Sequence, residues 1–140
     1  MTTRYFAMVL SIFMLFSGSA RARDDGGKKY EAPPEIIAAL PKYCWWWYMD
    51  NVPYNEEYSI QHCQGGTNHF CPGLVAMKQA ESEKDLPRRI RAWEIARGEM
   101  DYTINHTDAE CWLQPRAKLN ITRINMELDT LKLQLRMRKR

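Results

Sequence analysis

The helical period of the second half of the chain limits its possible folds more than any other feature. Leu86, Ile90, Trp93, Ala96, Met100 and Ile104 recur every three or four residues, which puts one apolar stripe on a helix over 86–105. Ala117, Ile121, Ile124, Leu128, Leu131 and Leu135 repeat at 4-3-4-3-4, which predicts a third helix starting near Pro115. Leu119, Met126 and Leu133 lie off this seam and are expected to widen its apolar face. An earlier helix is expected over 69–82, from Phe70, Leu74, Met77 and Ala80, with Pro72 in its first turn. Asp85 is placed as an N-cap with Pro87 just inside the next helix. No strand alternation and no fixed-period repeat is visible. The expected fold class is therefore all-α: an antiparallel helix hairpin followed by a third long C-terminal helix.

The first 22 residues read differently. Arg4 precedes a 12-residue apolar run, Tyr5 to Phe16, and Ala20-Arg21-Ala22 offers small residues around a cleavage bond. This is the layout of a secretory signal peptide, and the run is well short of the about 20 residues that span a bilayer. No Cys stands near the cleavage point, so no lipid attachment is expected there. Residues 23–34 (RDDGGKKYEAPP) are polar and broken by Gly and Pro, and are expected to be a disordered leader. A single helical domain follows over 35–136, opening with a short helix from Glu35 to Leu40, and 137–140 form a basic tail.

Cys44, Cys63, Cys71 and Cys111 all fall after the signal, and an even count in an oxidising compartment points to disulfides. Three pairings are possible. Cys44 with Cys71 and Cys63 with Cys111 is favoured, because it would staple the N-terminal segment to the first long helix and the loop to the turn before the third. His62, Cys63, His69 and Cys71 also have the residue types of a metal or redox site, the alternative to two staples. Their H-C-x5-H-x-C spacing matches no zinc motif. A Cys/His catalytic dyad would need an unpaired thiol, so the chain reads as non-enzymatic and without a cofactor.

Trp45-Trp46-Trp47, with Tyr43, Tyr48, Tyr54 and Tyr58, make a dense aromatic patch between the short helix and an irregular stretch over 50–66. Three consecutive tryptophans cannot all face one core, so at least one ring should stay partly exposed. Such patches anchor protein interfaces, and a second alternative is a carbohydrate-binding surface. Removing Arg4 and Arg21 with the signal lowers the formal net charge from +3 to +1. The only dense basic cluster is then terminal, which argues against nucleic-acid binding. Arg136 and Arg138 could steer an acidic protein partner toward the third helix, with Leu131 and Leu135 as its contacts. Asn105-His106-Thr107 and Asn120-Ile121-Thr122 fit the glycosylation triplet, a pattern common by chance.

Leu40 to Cys44, His69 to Leu74 and Gly98 to Ile104, with Trp112-Leu113-Gln114-Pro115 opening the following helix, give the chain a further character. Over roughly 36–128 it resembles a group of small exported bacterial proteins described as tetratricopeptide-repeat-like. The resemblance implies antiparallel helix pairs and a role in protein contacts rather than chemistry. Cys63 and Cys111 are additions to that pattern, and Asp85 stands where the generic repeat has Ala. The expectation is a periplasmic or secreted, disulfide-stapled scaffolding module, or an accessory subunit of a larger assembly. Trp45, Trp46, Trp47 and Tyr48 are its expected contact residues, and a homo-oligomer is one possible assembly.

Overall fold

The computed structural model describes residues 30–50, 52, 63 and 67–138. The expected signal peptide, most of the expected leader, Tyr54, Tyr58, His62 and the last two residues lie outside the described residues. Within them the chain forms five helices and no strand: α1 (Pro34–Ala38), α2 (Lys42–Trp45), α3 (Thr67–Ser82), α4 (Leu86–His106) and α5 (Leu113–Met137). None is long and apolar enough to cross a membrane.

Helix α4 is the centre of the fold. Leu86, Ile90, Trp93, Ala96 and Met100 are buried along it, as the period requires, and Thr103 joins them where Ile104 was expected. Thr103 tolerates burial because its hydroxyl donates to the Glu99 carbonyl at 3.0 Å. The helix starts where Asp85 accepts from the Arg88 N–H at 3.0 Å, with Pro87 in the first turn. Its last carbonyls have no partner inside the helix. Gln114, buried at the start of α5, donates its side-chain N–H groups to the Ile104 and Thr107 carbonyls at 2.9 and 3.0 Å.

Helix α3 packs against one side of α4. Residues 69 and 73 meet residues 99 to 102, so the two run in opposite directions across the short 83–85 turn. Gly73 allows the close approach. A Cβ there would lie 2.8 Å from Met100 Cε and 3.2 Å from Glu99 Cβ. The helix begins two residues earlier than predicted, so Pro72 is in its second turn rather than its first. The bond Pro72 cannot donate is the one to the Asn68 carbonyl.

Helix α5 packs on a second face of α4, near enough to touch α3 as well, and again runs opposite to α4. Gln114 lies by Ile104, Asn120 Nδ2 is 3.8 Å from Met100 Sδ, and Lys132 pairs with Glu94 at 3.0 Å. Ala117, Ile124, Leu128 and Leu131 are buried along this seam, while Ile121 and Leu135 are half-buried at its edge. Arg123 reaches across to Glu81 of α3 at 2.7 Å. These half-exposed ion pairs fix register more than they add stability, at under about 1 kcal/mol each.

The N-terminal segment lies over α3. The Cys44 and Cys71 sulfurs are bonded, with Cα atoms 5.5 Å apart, and this link clamps α2 onto the start of α3. Cys63 and Cys111 are bonded with Cα atoms 4.9 Å apart, which ties the loop to the turn before α5. These are the pairs favoured from the sequence, and they are what a non-reducing compartment maintains. Residues 30–34 depart from the expected disordered leader. The Tyr30 N–H donates to the Trp47 carbonyl at 3.1 Å, and its ring packs on Trp47 and Tyr48.

Candidate functional site

The aromatic patch forms because Pro41 cannot continue α1 and instead starts α2, which turns 43–48 back over the chain. Tyr48 is buried in the core, so it is an internal anchor rather than an exposed contact. Burial, and then the nearby Tyr30 and Glu99, push its phenol well above the ordinary tyrosine value. Trp45, Trp46 and Trp47 are each half-buried. Trp45 faces α1, where it forms a groove of about 230 Å³ with Pro34, Ile37, Ala38 and the exposed Met49. This groove is apolar on every side. Ile37 and Met49 were not among the expected contact residues, because only the turn at Pro41 brings them to Trp45.

A second aromatic cluster joins α2 to α5. Tyr43 meets Trp112 edge to face at 5.0 Å, and the Arg116 guanidinium sits 4.9 Å over the Trp112 ring. Arg116 also donates to the Tyr43 hydroxyl at 3.3 Å. Burial raises the Tyr43 pKa and the Arg116 contact partly offsets that rise.

The expected Cys/His set is split by the fold. Cys63 and Cys71 are in different disulfides, and a disulfide sulfur offers no thiolate to a metal or a substrate. His69 instead meets Glu99, its Nδ1 lying 2.6 Å from the carboxylate. Tyr102 lies between the rings of His69 and His106, 3.8 Å from each. This half-exposed column, with the Glu99 carboxylate on Nδ1, holds the His69 ring in place.

The expected contacts on the third helix fall differently. Leu131 is only 3% exposed and belongs to the chain's own core. Leu135 is half-buried, and Arg136 and Arg138 are exposed at the end of the helix. Leu119, Met126 and Leu133 do not widen the inward face: they are 71%, 67% and 56% exposed. At 3.6 residues per turn, Leu119 is half a turn from Leu128, so the two apolar rows lie on opposite sides of α5. The spacing of seven between these residues was the signal that could have identified a separate row. Family models, curated proteins and solved structures were all compared with the chain, and none of them matches it.

Proposed function

We propose that this protein is an exported, non-enzymatic interaction module that receives an apolar side chain of a protein partner in the groove between α1 and α2. The observation that carries the reading is the groove itself: Ile37, Trp45 and Met49 form an apolar recess at the surface, held in shape by the Cys44–Cys71 bond. Buried aromatic anchors with an apolar recess beside them are the usual centre of a protein interface. Arg136 and Arg138 would steer an acidic partner. The two disulfides support an oxidising compartment, periplasmic or extracellular, reached through the 1–22 signal. The three long helices fit a tetratricopeptide-repeat-like hairpin and a further helix, with the disulfides replacing the neighbouring repeats such an arrangement normally leans on.

A photo-reactive residue at Met49 tests the groove in producing cells. It is expected to cross-link a protein, and Ile37→Asp, with its disulfides and helix content intact, is expected to lose that product. No product from Met49, or the same product from the Ile37→Asp variant, overturns the reading. The intact mass of the exported protein tests the compartment. It is expected to begin at Arg23 and to be four hydrogens light for two disulfides.

A further inference from the structure

The large exposed apolar side chains among the described residues are not scattered. Trp112, Leu119, Met126 and Leu133 follow one another at intervals of seven, and Met137 continues their row one turn on. Ile95, Tyr102 and Met49 are the others, and they lie on α4 or beside α2. The row runs the full length of α5, about 37 Å at 1.5 Å per residue. It is narrow: Thr122 and Thr130 fill the gaps between the large residues, and charged residues begin one position to either side. A membrane-surface helix presents a broad apolar face, whereas a seam one residue wide with a seven-residue repeat fits a second helix.

We infer that α5 pairs through this row with α5 of a second copy of the chain, antiparallel, about a two-fold axis near Met126. Symmetry within the row identifies the partner. Leu119 and Leu133 are each seven residues from Met126, and Thr122 and Thr130 are each four. Antiparallel pairing therefore sets Leu119 against Leu133 of the partner subunit and Met126 against the partner's Met126, with threonines filling both gaps.

The flanking charges select the direction. Parallel helices would set Glu127 within two residues of the partner's Asp129 and Arg116 within two residues of the partner's Lys118, like charges at both places. The antiparallel register puts Arg123 within two residues, about 3 Å along the axis, of the partner's Glu127 on the same flank. Arg123 and Glu127 stand half-exposed beside the row, held by Glu81 at 2.7 Å and Arg89 at 3.8 Å. Along this flank the order is Arg123, the partner's Glu127, Glu127 and the partner's Arg123, so each arginine lies beside a carboxylate of the other chain. Two like-charged approaches oppose the pairing: Glu127 and the partner's Glu127 stand about 3 Å apart along the axis between the two arginines, and Lys118 and the partner's Arg136 meet at the ends, where both heads reach water. The strip is about 10 Å wide, so it covers roughly 400 Å² a side, near half of a standard interface. The pairing is therefore a weak, concentration-dependent dimer.

Sedimentation equilibrium of the oxidised mature chain across a wide concentration range tests this. The expected result is a monomer–dimer equilibrium with a dissociation constant in the micromolar range or weaker. Leu119→Glu with Leu133→Glu is expected to weaken it at least tenfold. Leu119→Glu with Leu133→Lys places unlike charges together only in the antiparallel register, and is expected to recover at least tenfold over the Glu/Glu variant. Both substitutions are at exposed positions, and thermal unfolding confirms that each variant folds. A chain that stays monomeric at every concentration overturns the inference. So does a Glu/Glu variant that pairs as tightly as the native chain, or a Glu/Lys variant that pairs no better than Glu/Glu.

Discussion

The same substitution, Gly to Ala, should have opposite effects at the two glycines that lie within long helices. Gly98 is exposed on α4, and a Cβ built there meets nothing within 4 Å. Gly98→Ala should therefore return the full helix-propensity difference, a gain of about 1 kcal/mol. Gly73→Ala has the same propensity gain but must fit a methyl group 2.8 Å from Met100 Cε and 3.2 Å from Glu99 Cβ. Met100 is fully buried, so its thioether can give way only by repacking against its core neighbours. Overpacking of this kind costs about 1–3 kcal/mol, which leaves Gly73→Ala neutral to about 2 kcal/mol destabilised. The two variants should thus differ by about 1–3 kcal/mol in urea unfolding of the oxidised protein. That corresponds to about 3–6 °C in Tm for each kcal/mol in a domain of this size. Met100→Ala should itself cost about 2–5 kcal/mol, and in that background Gly73→Ala should become stabilising. If Gly73→Ala is as stable as Gly98→Ala, or if its penalty persists without the Met100 thioether, the close-approach argument fails.

Three further outcomes follow from other parts of the fold. The disulfides close separations of 27 and 48 residues, and chain-entropy reasoning gives about 4 kcal/mol of stability to each. Cys44→Ser with Cys71→Ser should lower the thermal midpoint sharply while far-ultraviolet dichroism retains most of its helix signal, because α3, α4 and α5 pack without that link; a loss under about 1 kcal/mol would refute this. Gln114→Ala strips the part-buried Ile104 and Thr107 carbonyls of their donor and should cost about 1–3 kcal/mol, read by urea unfolding; a neutral result would show that water replaces the side chain. The Tyr48 phenol titrates above its unfolded value of 10.0, so its contribution is complete below that pH and is lost as pH rises beyond it. Tyr48→Phe should flatten the alkaline fall in stability, and an unchanged fall would place its cause elsewhere.

Much of the helical core was legible because a helix writes its period into the sequence. Trp93, Ala96 and Met100 on α4, and Ala117, Ile124 and Leu128 on α5, are buried as their spacing requires. Asp85 caps α4 because a short acceptor before Leu86-Pro87 satisfies a free N–H wherever the helix later packs. The surfaces were less legible. Leu131 was taken for a contact and lies in the core, because its seam already meets α4. Leu119, Met126 and Leu133 were taken to widen that seam, although their angular offset of about half a turn puts them on the other side of the helix.

The sequence by itself determined which long segments are helical, where α4 begins and which row of each long helix is buried in the core, because these properties depend on residues within one or two turns of each other. Tertiary structure alone decided what each apolar row meets. His69 reaches Glu99 from 30 residues away, Ile37 and Met49 become one recess with Trp45, and Gly73 sets the distance between α3 and α4. Local spacing specifies a direction on a helix, but burial along that direction depends on the position of another part of the chain. That is why one row of α5 became core while the other, equally plain in the sequence, remained at the surface.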